Sequence, residues 1–249
     1  MRLLILSDIH ANLTALDAVL ACARNEAPCD RTACLGDLVG YGPDPNEVIA
    51  RLKDLGAVII RGNHDKVSCG LEEPEGFNPA ARTAALWTRD RLTPENREYL
   101  RGMPRGPVRM EGVELVHGAS HDEDEYVFSP AQALEGLLDA PVPVTFFGHT
   151  HVQGGFVLRD DQVEVLYPRV PSEENFSPLK LEPGMRYLVN PGSVGQPRDG
   201  DARAAFVIAD LGAQQLEFGR AAYDIALVQE RMTDAGLPAA LIQRLAIGR

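Results

Sequence analysis

No apolar run in this chain approaches the ~20 residues that a membrane helix needs, and residues 3–6, its first apolar stretch, are too short for the core of a signal peptide. The expectation is a soluble, cytoplasmic protein with no membrane partner. The four cysteines, Cys22, Cys29, Cys34 and Cys69, show no C-x-x-C spacing. A chain of 249 residues does not need disulfides for stability, so reduced, packed thiols are expected in place of a disulfide framework or a structural zinc. Positive charge is scarce as well: 24 Lys and Arg face 36 Asp and Glu, for a formal net charge of −12. Long nucleic acid is held mainly by Lys and Arg against phosphate, which makes it a poor candidate partner. Internal repeats, low-complexity tracts and an obvious linker are also missing. With a hydrophobic fraction of 45%, the chain reads as one domain over residues 1–249.

Histidine is rare too, with six in the chain, and five of the six fall inside five short blocks: Ser7-Asp8-Ile9-His10, Gly36-Asp37, Gly62-Asn63-His64-Asp65, His117-Gly118 and Gly148-His149-Thr150-His151. Each block sets a metal-binding side chain beside a small residue. Packing alone gives no reason for that placement, whereas two adjacent divalent cations need about this many oxygen and nitrogen ligands.

The hydrophobic pattern supplies the frame. Residues 3–6 read as a buried strand, followed by a helix over about 14–25 with Leu16, Val19, Leu20 and Ala23 on its apolar stripe. Residues 32–35 form the next strand. Asp44 and Pro45 supply an N-cap and a first-turn proline for a helix carrying Val48, Ile49, Leu52 and Leu55 and stopped by Gly56. Residues 57–60 return as a third strand. This alternation calls for a parallel sheet with right-handed crossovers, in which working residues collect at the carboxyl ends of the strands. Asp8 with His10, Asp37, and Asn63 with His64 each follow a predicted strand directly, so topology alone brings three of the five blocks to one edge.

Further on, residues 66–77 read as a loop and 79–101 as two helices broken near Thr93-Pro94, which makes a helical insert over about 66–104. Hairpins are expected at 108–110 with 113–117 and at 155–158 with 163–166, the second around Asp160-Asp161. Strands are expected at 142–147, 187–189, 204–208 and 215–218. The tail over about 224–249 reads as helical, interrupted at Gly236-Leu237-Pro238, and offers a packing surface. The acidic run 122–125 reads as a solvated turn, with its nearness to His117 as the functional alternative.

Asp8 and His10 stand two apart at a strand end, where side chains i and i+2 point the same way, so an oxygen and a nitrogen can meet one cation. His149 and His151 repeat that arrangement. Asp37 follows Gly36 in a turn, and its two oxygens allow it to bridge two ions. Asn63 offers a neutral carbonyl oxygen, which limits the negative charge around the metals. Singly, each residue has a plain alternative: an aspartate after a strand as a helix cap, a histidine as a core or surface residue. Together, the order D-x-H, G-D, G-N-H-D, H-G and G-H-x-H forms a specific signature.

With these blocks the chain resembles the calcineurin-like metallophosphoesterase superfamily, most of all its small bacterial and archaeal phosphodiesterase branch. The resemblance extends through Gly40-Tyr41-Gly42-Pro43-Asp44-Pro45-Asn46 and Asn190-Pro191-Gly192-Ser193-Val194-Gly195-Gln196-Pro197-Arg198, and covers residues 1 to about 235. It implies an α/β fold of four layers, an α/β/β/α sandwich of two mixed β-sheets packed face to face and flanked by helices, with a di-metal site at the sheet edge. Carried onto matching positions, one metal takes Asp8, His10 and His151, the other takes Asn63, His117 and His149, and Asp37 bridges them. All seven positions hold the expected residue type. His64 would face the substrate phosphate without binding metal, and Asp65 would hold its ring through the second nitrogen. For Asp65 the alternative is a loop or helix cap. Where the family has a run resembling H-G-S-P-R-D, this chain reads His117-Gly118-Ala119-Ser120-His121-Asp122, so His121 alters the charge at that point.

The activity implied is a metal-dependent phosphodiesterase acting on small phosphodiesters such as cyclic nucleotides, with some monoesterase activity. Two cations ~3.5–4 Å apart lower the pKa of a shared water toward ~7 and clamp the attacking and leaving oxygens of an in-line displacement. Metal-bound hydroxide attacks phosphorus, and His64 stabilises charge or protonates the leaving alkoxide. Mixed oxygen and nitrogen ligands suit Mn, Fe, Zn, Co or Ni, with manganese expected to support activity. Asn12, Tyr41 and Arg198 flank the site-forming loops and are candidate substrate contacts. Their structural alternatives are a helix cap for Asn12, packing under the Gly-Pro loop for Tyr41, and pairing with Asp199 or Asp201 for Arg198. Phe77 and Trp87 are candidates for a lid, with Trp87 in the core as the alternative. Rival functions are a dinucleoside polyphosphate hydrolase or protein phosphatase of the same superfamily and, outside enzymes, a metal-stabilised interaction scaffold.

Overall fold

In the computed structural model, which describes residues 1–26 and 28–249, the unbroken apolar run at the start of the chain has a simple cause. β1 (Arg2–Leu6) has a core on each face: Leu3 and Ile5 enter one apolar cluster, Leu4 and Leu6 another. A strand covered on one side only would alternate. The chain continues through α1 (Leu13–Glu26), β2 (Arg31–Cys34), α2 (Pro45–Asp54) and β3 (Val58–Ile59), and the three strands pair in parallel as their connections require. Three helices follow, α3 (Asn63–Cys69), α4 (Pro79–Arg91) and α5 (Pro94–Arg101), then β4 (Val108–Met110), β5 (Val113–Leu115), α6 (Pro130–Asp139) and β6 (Val144–Phe146). β7 (Gly154–Arg159) and β8 (Gln162–Leu166) make a hairpin turned by Asp160 and Asp161, both at positive φ, which suits the twist of the flanking strands. β9 (Phe176–Lys180), β10 (Arg186–Asn190), β11 (Ala204–Asp210), β12 (Gln215–Ala221), α7 (Ile225–Asp234) and α8 (Ala239–Leu245) complete the order.

Among the described residues the strands form two mixed six-stranded sheets, in the orders β3-β2-β1-β11-β12-β9 and β4-β5-β6-β10-β7-β8. Their facing sides share one core: Leu3, Ile5, Leu35, Val207 and Phe218 from the first sheet meet Leu115, Val144, Phe146, Val157 and Val189 from the second. α1 and α2 cover the outer face of the first sheet through Leu16, Val19, Val48, Ile49 and Leu52. α6 covers the second through Ala133 and Leu137 against Phe147, Phe156 and Leu188. The result is the four-layer α/β/β/α sandwich expected. α7 and α8 pack with Ala81 and Ala84 of α4 and with Tyr41 in a separate cluster. No helix among the described residues is long and apolar enough to cross a membrane.

Three elements differ from the sequence expectation. Residues 63–69 form α3 and not the start of a loop; the helix is buried around its whole circumference from His64 to Cys69, so it shows no amphipathic stripe to read. α6 buries only Ala133 and Leu137, but it is started by a capping box between Ser129 and Gln132 with Pro130 in the first turn. β9 contains Pro178, which a strand tolerates at a sheet edge, and β9 lies at the edge of the first sheet. Phe146 is fully buried between the sheets. Phe146→Ala should therefore cost about 3–5 kcal/mol, read as a lowered midpoint in denaturant titration.

Candidate metal centre

The loops that leave the carboxyl ends of β1, β2, β3, β5 and β6 carry all five blocks to one edge of the sandwich. They are stitched together by main-chain hydrogen bonds: Asp8 N to Gly36 O (3.1 Å), His10 N to Asp37 O (2.9 Å), Gly148 N to His117 O (2.7 Å) and Gly195 N to Asp8 O (3.1 Å). Asp8, His10, Asp37, His149 and His151 all have φ between 49° and 65°, the left-handed region that non-glycine residues rarely enter. Such strain collects where function fixes side-chain direction. The small residues of the blocks have a steric reason. A Cβ on Gly62 would come 2.2 Å from Asp37 Oδ1, and one on Gly148 would come 2.1 Å from Ser7 Oγ, so the loops close only with glycine there.

Two groups of ligand atoms result, each group's atoms lying within 4.8 Å of one another: Asp8, His10, Asp37 and His151 in one, Asp37, His117 and His149 in the other. Asp37 belongs to both. Its Oδ2 stands 3.6 Å from His10 Nε2 and 3.7 Å from His117 Nε2, while its Oδ1 accepts from His64 N at 2.8 Å. Asn63 Oδ1 lies 3.3 Å from His117 Nε2, which puts it beside the second group. Asp8 and His151 approach at 3.3 Å. His149 and His151 lie in different groups, the division the resemblance implies, whereas their i, i+2 spacing read alone brings both to one cation. That spacing rule belongs to extended strands, and Asp8, His10, His149 and His151 are all left-handed, so it decides neither pair.

The donor set fits divalent cations on three observations. The Nδ1 atoms of His117, His151 and His10 donate to the main-chain oxygens of Leu35 (2.7 Å), Gln196 (2.7 Å) and Val39 (3.2 Å), which fixes each ring with its Nε2 lone pair turned inward. His10 Nε2 and His151 Nε2 then face each other at 3.1 Å with no proton between them, an arrangement a cation relieves. Asp8 Oδ2 accepts from Ser7 Oγ (2.6 Å) and His149 N (3.1 Å), yet its Oδ1 is buried without a hydrogen-bond partner, as is His149 Nε2. Burial, together with the neighbouring Asp65 and Asp8 charges, pushes the Asp37 carboxyl well above its ordinary range. Burial and neighbouring histidines hold His10 well below its ordinary value and His149 down to about 2, so both are neutral nitrogen donors.

The remaining candidates divide. His64 is buried beside the groups, its ring 4.8 Å from that of His10 and 4.3 Å from that of Tyr41. Asp65 does not hold it. Asp65 sits at the third position of α3, where its Oδ2 accepts from the N-cap amide of Gly62 (3.0 Å) and its Oδ1 from Val39 N (3.2 Å), while His64 Nδ1 has no partner and lies against Gly40. The helix-cap alternative therefore replaces the orienting role. Asn12 Oδ1 caps α1 through Ala15 N (3.0 Å) and Asn12 Nδ2 donates to Gly195 O (3.1 Å), so both ends of its amide are engaged inside the chain. Tyr41 is buried; Arg198 Nη2 lies 3.4 Å from its hydroxyl and 3.3 Å from Gln196 Oε1. Arg198 pairs with neither Asp199 nor Asp201, and Asp199 instead pairs with Arg220. Phe77 packs against His64 at 4.5 Å between ring centres, and both Phe77 and Trp87 pack with the α7–α8 cluster.

The acidic run is not a solvated turn throughout. Glu123 receives Arg61 Nη2 (2.8 Å) and Nε (3.1 Å) and Lys66 Nζ (3.3 Å), and Asp124 receives Lys66 Nζ at 2.6 Å. His121 pairs with Glu125 at 2.7 Å on the surface. The clamp fixes a segment that sequence reasoning passed over, because Tyr126 stacks on the His149 ring at 3.8 Å between centres.

Two sheets, their helices and two ligand groups sharing one aspartate define a metallophosphoesterase fold. Residues 1–214 match the calcineurin-like phosphoesterase superfamily domain, and the chain belongs to that superfamily of metal-dependent phosphoesterases. It is 34% identical to an uncharacterized protein of Methanocaldococcus jannaschii over 98% of this chain and 97% of that one. It superimposes on the crystal structure of a metallophosphoesterase from Sphaerobacter thermophilus with a TM-score of 0.85 and 38% identity, covering 100% of this chain and 99% of the other. A hypothetical protein from Pyrococcus horikoshii shares the fold at a TM-score of 0.81 and 20% identity, covering 100% and 98% of the two chains. For Asp37→Asn, metal analysis after gel filtration in Mn²⁺ should find at most half the metal of the wild-type chain, because the oxygen shared by both groups is weakened. Full retention would remove Asp37 from the bridging role.

Proposed function

We propose that the chain is a di-metal phosphoesterase that hydrolyses small phosphodiesters, cyclic nucleotides among them, with some monoesterase activity. The observation that carries this reading is the shared carboxylate of Asp37 between two buried groups of ligands. In this reading Asp8, His10 and His151 hold one ion, Asn63, His117 and His149 the other, and Asp37 both. Mn, Fe, Zn, Co and Ni all suit such a donor set, and Mn²⁺ is the ion we expect to support turnover. When bound, two divalent ions supply charge neutralisation for a phosphoryl group and a water acidified toward neutral pH.

The chain's own groups do the rest. Three carbonyl-anchored imidazoles hold their Nε2 atoms in place before substrate arrives, so little reorganisation accompanies reaction. Arg198 is the cationic side chain next to the site: its charge acts on His64, His10 and His151, and its Nε is buried without a partner, so the guanidinium is placed to take a phosphate oxygen. Burial and Arg198 hold His64 well below its ordinary value. Free of substrate, His64 is therefore a neutral imidazole, able to act as a hydrogen-bonding group toward a phosphate. Phe77 against His64 and Tyr126 over His149 narrow the approach, which favours a small ester over a folded protein substrate.

With Mn²⁺ present, turnover of bis-p-nitrophenyl phosphate and 2′,3′-cyclic AMP should exceed that of diadenosine tetraphosphate and a phosphopeptide. The reverse order would replace the diesterase reading with one of its superfamily rivals. His64→Ala should keep its metals by elemental analysis and lose about a hundredfold or more in kcat, since it removes a positioned hydrogen-bonding group at the phosphate. Loss of metal in that variant would show that His64 is a ligand after all.

A further inference from the structure

Tyr126 and Phe128 are large aromatic side chains left in solvent beside a buried site, with 42% and 60% of their surfaces exposed. Val127 between them is buried in the cluster under α6, so the segment alternates and its two rings face the same way. The rings are nearly parallel, 5.5 Å between centres and 6° between planes. Tyr126 in turn stacks on the His149 ring at 3.8 Å and 24°. A continuous run of aromatic faces thus leads from the ligand groups out to solvent.

The segment is held in place by the cap of α6 and by an ionic clamp. Gln132 Oε1 accepts from Phe128 N (3.1 Å) and Ser129 N (3.2 Å), and Gln132 Nε2 donates to Tyr126 O (2.8 Å). Upstream, Glu123 and Asp124 are clamped by Arg61 and Lys66. Arg198 Nη2 lies 3.4 Å from the Tyr41 hydroxyl, and the charge of Arg198 also acts on Tyr126. A cation for a phosphate and a fixed aromatic surface for a planar group therefore stand on one side of the site.

We infer that the open face of Phe128, backed by Tyr126, forms a stacking shelf for a planar ring, a nucleobase or an aryl group, attached to the phosphate held at the ligand groups. The inference rests on the phosphoesterase reading and assigns the specificity within it. Every base has a π-face, so such a shelf selects rings without selecting one base. It also gives the ester's organic group a place that Asn12 and Tyr41 do not provide, since both are engaged inside the chain.

The test is binding to the Mn²⁺-loaded protein of AMP and of ribose 5-phosphate, which share the phosphate and sugar and differ in the base, read by rapid mixing before any phosphate is released, with phosphate release followed in parallel. The wild-type chain should bind AMP about tenfold more tightly or better. In Phe128→Leu the ratio of the two dissociation constants should fall to about twofold, and in Phe128→Trp it should be kept or raised, because leucine keeps the apolar area and loses the π-face while tryptophan enlarges it. Phe128 is a surface residue, so neither variant threatens the core. Equal binding of the two ligands by the wild type, or an unchanged ratio in Phe128→Leu, would overturn the shelf. Discrimination by base in a protein that hydrolyses none of the four esters would keep the shelf and sink the hydrolase; turnover with no discrimination would do the opposite.

Discussion

Three carboxylates, Asp8, Asp37 and Asp65, are buried side by side at the strand ends, and the rest of the site is arranged around the repulsion among them. The chain answers with its own dipoles and only in part. Asp65 is fully spent on main-chain amides at the start of α3 and at Val39. Asp8 and Asp37 each give one oxygen to the protein, through Ser7 and two main-chain amides, and turn the other into the ligand groups. Half-satisfied carboxylates beside inward-facing imidazole lone pairs are costly unless a cation completes them. The same residues that build the site would thus destabilise the fold if no cation completed it.

Much of this was legible in the sequence because the constraint acts locally. A ligand must follow a strand directly to reach the edge, and its neighbour must be glycine where another loop presses on it, as at Gly62 and Gly148. Both demands leave marks a few residues long. The apolar run of β1 was readable for the same reason, since a strand covered on both faces needs no partner to be recognised. What escaped the sequence depends on partners far along the chain. The left-handed backbone at His149 and His151 is announced by no residue type, and their i, i+2 spacing alone does not separate them. The anchoring of the histidines falls to carbonyls of Leu35, Val39 and Gln196, and any residue has a carbonyl. The resemblance favours a histidine partner for Asp65, and nothing in the sequence shows that its carboxylate turns to Gly62 and Val39 instead.

The acidic run shows how a surface feature becomes part of a buried one. Glu123 and Asp124 look like charge for solubility, yet they hold Lys66 of α3, the helix that begins with Asn63 and His64. The same run leads into Tyr126 over His149. One ionic knot therefore sets the distance between the segment that meets the phosphate and the segment that covers the ligands. A partly buried pair of this kind adds little to stability, and its value lies in fixing position.

The left-handed backbone at Asp8, His10, Asp37, His149 and His151 has a consequence for how this chain can change over time. Each such residue carries on the order of 1–2 kcal/mol of conformational strain, and five together rival the whole margin by which a domain stays folded. Glycine would relieve that strain at every one of these positions. A descendant freed from the need to hold ions would drift toward glycine there and gain stability as it lost chemistry. Holding five side chains in that backbone therefore sets the ligand groups and the stability of the fold against each other at the same five residues.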